Sequence, residues 1–515
     1  MGVLLALSGC APTLRLDTAR IPTHAISSEE ISLLKTQLAP HIPPGKSGFH
    51  LLQGGHAALA ARLALAQRAS HTLDVQYYLF HNDTTGKLVA ATLLAAAERG
   101  VRVRVLIDDI DTADKALGLA TLNAHPNIQV RLFNPFHTRS TNLFVKAWQA
   151  LREHIRLNRR MHNKAFIADN QLGITGGRNI GDEYFDAHHD LAFVDLDVIA
   201  SGAIVDSLSQ SFDQYWNSDM AVPASALPVN ASDIRLQRTS RFLRQFRAQH
   251  LDSDYGRALT ATDPIPPLLM GKTPWHIAHA DLIVDPPDKV LKRSKSTSRL
   301  LIGQLAGLGV NPARRALIVS PYFVPGATGM AYFEYWRGQG VQVDILTNAY
   351  GASDVPVVHA GYANYRIPLL EAGVNLHELK PVAEPTGGRL RDLGSGSSRA
   401  SLHAKTFVFD DERVFIGSFN FDPRSALLNT EMGLVIHSPE LARQVTAIAE
   451  DAMRPERSYQ PKLVVETTGQ QVTKRLQWHD LHQGSERISD VEPETSPIQR
   501  GLLRILQALP IEEHL

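Results

Sequence analysis

His162-Asn163-Lys164-Ala165-Phe166-Ile167-Ala168-Asp169 and His403-Ala404-Lys405-Thr406-Phe407-Val408-Phe409-Asp410 are one octapeptide pattern written twice, 241 residues apart (403 minus 162). The likeness continues beyond each copy. Gly176-Gly177-Arg178-Asn179 follows the first and Gly417-Ser418-Phe419-Asn420 the second, after which come Asp190 and Glu431. In both copies His to Lys is 2, Lys to Asp 5, Asp to the first Gly 7, that Gly to Asn 3 and Asn to the last carboxylate 11. Histidine and lysine two residues apart on a strand project from one face, so an imidazole and an ammonium can address one bound group.

Outward from the octapeptides the repeat persists, and a long-range repeat decides the architecture before any single element does. The first half has a strand pattern over His71–Tyr78, an alanine- and leucine-rich helical run over Lys87–Arg99, and a second strand over Gly100–Ile107. The second half has Ala316–Phe323, a helical stretch over Met330–Gly338, and Gly340–Leu346. Strand, helix, strand recurs, so each half reads as a βαβ unit within an α/β chain of two duplicated lobes. Gly100 to His162 is 62 residues and Gly340 to His403 is 63, which carries the repeat into the octapeptides at nearly constant register.

The paired residue types suit a phosphodiester. Lysine neutralises non-bridging oxygens, and asparagine donates hydrogen bonds as charge builds on five-coordinate phosphorus. The Gly-Gly or Gly-Ser pair allows close backbone approach to phosphate. Each histidine is suited to proton work near neutral pH, and one could instead attack phosphorus. No run of His, Cys and carboxylate residues has the local spacing of a metal site, so no metal and no cofactor are expected.

Lys+Arg and Asp+Glu both number 52 in the 515 residues, so the whole chain offers no positive field for a polyanion, which counts against a nucleic-acid enzyme. No segment approaches the roughly 18 apolar residues of a spanning helix. The one cysteine, Cys10, closes Leu7-Ser8-Gly9-Cys10 behind a short apolar run, as a lipobox does, although no Lys or Arg precedes it. The predicted organisation is a signal segment at 1–10, a leader at 11–50, a first lobe at 51–221, a proline-rich connection at 222–300, a second lobe at 301–460 and an extension at 461–515. Residues 136–160 mix Phe136, Phe144 and Trp148 with Arg139, Lys146 and Arg156, a pattern shared by membrane-surface helices and ordinary solvated faces. Residues 501–510 pose the same pair of readings, an interfacial helix or one docked on the core.

With two HxKxxxxD sequences, each trailed by Gly-Gly/Ser-x-Asn, the chain resembles the phospholipase D superfamily. His71–Tyr78, Arg131–Phe136, Leu157–His162 and Gly176–Phe185 go further and resemble its cardiolipin synthase C branch, from about residue 50 to the C-terminus. The resemblance implies mixed, mostly parallel sheets flanked by helices, with one active site at the lobe interface. It implies a ping-pong phosphatidyl transfer in which His162 forms a phosphohistidine and His403 protonates the leaving alcohol and then activates the acceptor, the reverse assignment staying open. Lys164, Lys405, Asn179, Asn420, Gly177 and Ser418 would hold phosphate, and Asp190 and Glu431 would each orient an imidazole. Asp169 and Asp410 would be more structural than chemical.

The branch further implies phosphatidylglycerol as acceptor, phosphatidylglycerol or phosphatidylethanolamine as donor, and work at a membrane surface. Hydrolysis of phospholipids by water is the rival reaction, and a metal-independent nuclease is a weaker one. A lipid anchor at Cys10 would place the protein in a bacterial envelope on the periplasmic face, with Ala11 favouring the outer membrane.

Overall fold

The structure, a computed structural model, describes residues 13–15, 18–112, 114–137, 153, 156–188, 191–229, 231–291, 296–381, 399–468 and 470–509. Cys10, most of 136–160 and Asp190 lie outside them.

Twenty strands are described. In the first half they are β1 (Ser47–Leu52), β2 (Thr72–Tyr77), β3 (Arg102–Asp108), β4 (Ile128–Phe133), β5 (Ala165–Ala168), β6 (Leu172–Gly176), β7 (Leu191–Val194), β8 (Asp197–Gly202) and β9 (Ala221–Pro223). The second half has β10 (His276–Val284), β11 (Arg315–Val319), β12 (Gln342–Asn348), β13 (Asn375–Leu379), β14 (Arg399–Leu402), β15 (Thr406–Phe409), β16 (Arg413–Gly417) and β17 (Met432–His437). Three more, β18 (Ser458–Thr468), β19 (Gln471–His482) and β20 (Ser485–Ser489), form a C-terminal antiparallel meander.

The first sheet runs β9-β4-β3-β2-β5-β6-β8-β1, with β4, β3 and β2 parallel and the rest antiparallel. The second runs β18-β13-β12-β11-β15-β16-β17-β10, again with three parallel strands followed by antiparallel ones. The parallel strands are the predicted βαβ units, joined by the helices Thr84–Glu98 and Gly326–Gly338. Asp83 caps the first of these helices by accepting from the Gly86 N–H at 2.9 Å, and Leu88, Val89, Leu93 and Leu94 bury its apolar stripe.

Regular elements also occupy the stretches expected as leader and connection. β1 begins inside the supposed leader and is a full member of the first sheet, paired with β8 along six residues. The supposed connection at 222–300 holds the helices Asp233–Leu251, Asp254–Thr262 and Ile265–Leu269 and then β10. β10 pairs with β17 through His279–Val284 and with β1 through His276–Ala278, so one strand knits the two sheets together. Proline content suggested a linker there, and the sheet edges it had to cover lie far away in sequence.

Each lobe has its own apolar core, and a third core lies between them. That shared core takes Phe49, Ile167, Val198 and Leu208 from the first half and Leu317, Val408, Leu434 and Ile436 from the second. Two parallel ladders also cross from lobe to lobe. β7 pairs with β14, and Met161 bridges Thr430.

Candidate active site

Both lobe-crossing ladders deliver a histidine and a carboxylate to the same place. The His162 N–H donates to the Thr430 carbonyl at 2.8 Å, one residue before Glu431, and the His403 N–H donates to the Val194 carbonyl at 2.8 Å, one residue before Asp195. Each imidazole therefore meets a carboxylate of the opposite lobe. His162 Nδ1 lies 2.9 Å from Glu431 Oε2, and His403 Nδ1 lies 2.6 Å from Asp195 Oδ2.

Asp195 takes the place that equal spacing assigned to Asp190. Gly417 pairs with Gly433 across β16 and β17, while Gly176 pairs with Asp197 across β6 and β8, so the residue two before each partner is Glu431 in one lobe and Asp195 in the other. Asn179 to Asp195 is 16 residues (195 minus 179) against 11 for Asn420 to Glu431 (431 minus 420). The extra five residues lie in the loop holding the short helix Asp182–Tyr184, and counting from Asn179 cannot see them. Aligning the apolar runs Val198–Ala200 and Leu434–Ile436 would have found Asp195.

His162 and Lys164 do not lie on a strand as the spacing suggests, but on the extended segment leading into β5; His403 and Lys405 lead into β15 in the same way. In that segment Lys164 Nζ turns back to the His162 carbonyl at 2.5 Å, and Lys405 Nζ to the His403 carbonyl at 2.5 Å and to His403 Nδ1 at 3.0 Å. Each buried ammonium group thus lies beside the histidine of its own octapeptide.

Gly177 and Ser418 occupy matching positions with different consequences. Ser418 Oγ donates to Glu431 Oε2 at 2.5 Å, and the Ser418 carbonyl lies 3.1 Å from His162 Nδ1. At Gly177 a Cβ would stand 2.2 Å from Asp195 Oδ1, so the shorter carboxylate fits only because the side chain is missing. Asn179 Nδ2 donates to the Tyr184 hydroxyl at 2.9 Å, and its Oδ1 accepts from the Leu79 N–H at 3.2 Å. Asn420 is buried, and its Oδ1 has no hydrogen-bond partner among the described residues.

Asp169 and Asp410 do other work. Asp169, at φ 52°, accepts from the N–H groups of Ser70, His71 and Thr72, and Asp410, at φ 58°, from those of Ala313, Arg314 and Arg315. Each fastens the start of a central parallel strand to the turn after an octapeptide.

Aromatic rings wall the imidazoles. Tyr78 meets His162 edge-on at 5.1 Å between centroids, Tyr184 meets His403 edge-on at 5.1 Å, and Phe193 lies 5.0 Å from His403. Sequence reading missed Tyr78, Tyr184, Phe193 and Asp195 as site residues, although Tyr78 and Tyr184 stand within segments it singled out.

Burial among apolar walls disfavours charge on the basic groups. His162 is pushed down to about 4, against the pull of Glu431, and His403 is lowered too, by burial and by Lys405. Lys164 falls to about 7 and Lys405 to about 8 for the same reason. Glu431 and Asp195 go the opposite way. Despite burial, their carboxyls are held below the ordinary range by the imidazole and lysine each faces. A neutral imidazole whose Nδ1 faces only acceptors carries its proton there, which leaves Nε2 as the lone-pair nitrogen. For His162 both neighbours of Nδ1, the Ser418 carbonyl and Glu431, are acceptors.

Two groups of described residues gather ligand atoms suited to a metal ion: His81, Asp83 and Glu183, and His279, Asp281 and His437. The second unites residues 158 positions apart (437 minus 279), beyond the reach of any local spacing rule.

Comparison with known proteins extends the symmetry of the site. The family profile described as "Cardiolipin synthase, PLD-like domain" matches residues 63–216 and 311–453, one span per octapeptide. The chain is 41% identical to cardiolipin synthase C of Escherichia coli over 91% of its own length and 96% of the relative's. It is 31% identical to an uncharacterized protein of Helicobacter pylori over 91% of its length and 90% of that protein's. Among solved structures, a phosphatidylserine synthase of Haemophilus influenzae superposes with a TM-score of 0.57 over 91% of this chain and 95% of that one, at 14% identity, a likeness of fold.

Proposed function

We propose, since this chain belongs to the cardiolipin synthase family with PLD-like domains, that it is a phosphatidyltransferase that makes cardiolipin by moving a phosphatidyl group onto phosphatidylglycerol. The observation that carries the mechanism is the crossed pairing of His162 with Glu431 and His403 with Asp195, which turns two sequence repeats into one site with two unequal imidazoles.

His162 Nε2 attacks the donor phosphorus, forming a P–N bond as the bond from phosphorus to the headgroup oxygen breaks. His403, protonated in the donor complex, gives its Nε2 proton to that oxygen, and the headgroup alcohol leaves. The hydroxyl of phosphatidylglycerol then loses its proton to His403 as its oxygen attacks phosphorus and the P–N bond breaks, which frees His162. His162 suits the first role because burial keeps it neutral, and Glu431 steadies the positive charge it gains on attack. Lys164, Lys405, Asn179 and Asn420 hold the phosphate, whereas the backbone N–H groups of Gly177 and Ser418, expected to help, are given to the Leu196 and Met432 carbonyls. Phosphatidylethanolamine serves as an alternative donor, since only the leaving alcohol differs.

A membrane surface is the place of work. The helix Pro497–Gln507 supports it: Ile498, Leu502, Ile505 and Leu509 recur at intervals of 4, 3 and 4 along one exposed stripe, Leu503 turns inward, and Arg504 is exposed. Lipidation of Cys10 would add an acyl anchor and set the protein on the periplasmic face of an envelope membrane, the outer one by virtue of Ala11.

Vesicles of phosphatidylglycerol, incubated with the purified chain and followed by mass spectrometry, test the reading. Cardiolipin with an equal yield of glycerol supports it. Phosphatidic acid as the sole lipid product replaces it with hydrolysis.

A further inference from the structure

The geometry points to a transition-metal site, of the kind zinc occupies, formed by His279, Asp281 and His437 on the seam where β10 meets β17. His279 and His437 are direct cross-strand partners, and Asp281, two residues along β10, faces the same side. The His437 Nε2 to Asp281 Oδ2 distance is 3.0 Å, the His279 Nε2 to Asp281 Oδ1 distance is 3.4 Å, and the imidazole centroids stand 5.2 Å apart. Bonds of about 2.0–2.1 Å to a tetrahedral zinc place neighbouring ligand atoms about 3.3–3.4 Å apart, so the three side chains stand close to a metal-binding arrangement before any metal arrives.

Two imidazoles and a carboxylate select zinc, cobalt, nickel or copper over calcium and magnesium, which prefer oxygen ligands. The remaining coordination positions face solvent, because His279 is 73% exposed, and would be filled by water. Six residues of extended chain separate His437 from Glu431, about 20 Å at roughly 3.3 Å per residue, so this metal would take no part in phosphoryl chemistry.

Its role is mechanical. It would clamp β10 to β17 at one end, while at the other end Asp285, just beyond β10, accepts the Glu431 N–H at 2.9 Å. β10 also pairs with β1 of the first lobe, so the metal would pin the strand that joins the lobes.

Titration of chelator-treated, tag-free full-length protein with zinc chloride, read by calorimetry and by thermal unfolding, tests this. One zinc ion per chain with a dissociation constant in the micromolar range or tighter is expected, together with a raised unfolding midpoint. Cobalt should bind with visible absorption of the intensity given by low-coordinate sites. His437→Ala, His279→Gln and Asp281→Asn should each weaken binding at least about tenfold, the cost of losing one ligand-shell member, whereas His81→Gln should leave it unchanged. Far-ultraviolet circular dichroism checks that the variants fold. No zinc uptake by the folded protein, or uptake unaltered in the three variants, would overturn the assignment.

Discussion

His403 of the second lobe and Asp195 of the first are joined across the interface by a 2.6 Å contact between Nδ1 and Oδ2, the counterpart of the 2.9 Å contact between His162 and Glu431. Asp195→Asn, which keeps shape and removes charge, should lower kcat on the order of 10³- to 10⁴-fold, as loss of the orienting acid does in a triad. Asp190→Asn should change kcat far less, because Asp195 already holds the place beside His403. Steady-state cardiolipin formation by the two variants measures this; equal losses would dissolve the assignment of Asp195.

Gly177 and Ser418 should answer unequally to alanine. In Gly177→Ala the added Cβ would meet Asp195 Oδ1 at 2.2 Å, so the carboxylate must leave His403. A loss of at least about a hundredfold in kcat is expected, a fraction of the triad effect. Ser418→Ala deletes only the hydroxyl that donates to Glu431, and a loss of about tenfold is expected, near the worth of one charge-assisted hydrogen bond. Comparable activities would show that the glycine is not there to admit Asp195.

The octapeptide aspartates should reveal themselves in stability. Asp169→Ala strands three backbone N–H donors and puts alanine at φ 52°, so a cost of about 2–4 kcal/mol is expected. Urea unfolding should show that loss, while activity per folded molecule stays within about threefold of the parent, since no imidazole contact is removed. A stable but inactive Asp169→Ala protein would give the residue a chemical role.

The profile of kcat/KM against pH should be bell-shaped and displaced to the acid side. His162 gains its proton only as the pH falls toward about 4, so the nucleophile persists well below the ordinary histidine range. On the alkaline side His403, lowered by burial, loses its acid proton early, and Lys164 and Lys405 surrender theirs as the pH rises past about 7 and about 8. Activity should therefore decline by pH 8 to 9. A rate still climbing at pH 9 would mean that the lysines keep their charge in the free enzyme.

The duplicated βαβ units were readable in the sequence because strand and helix periods are local properties of short segments. The same holds for the octapeptides, whose His, Lys and Asp stand at fixed short intervals along the chain. β10 was not readable: its purpose is to cover two edges formed by β1 and β17, and nothing near residue 276 states that. Asp195 was missed for a related reason, since its equivalence to Glu431 lives in strand register and not in distance along the chain. The crossing of each histidine to the opposite lobe is a property of the fold alone.

The most direct test of the crossed site is to trap the covalent intermediate. The parent enzyme, mixed with phosphatidylglycerol vesicles and quenched in base during turnover to preserve a P–N bond, should carry a phosphatidyl group on the peptide containing His162, and His162→Ala should carry none. An adduct on the His403 peptide of either protein, or no adduct on the parent enzyme, would contradict the account.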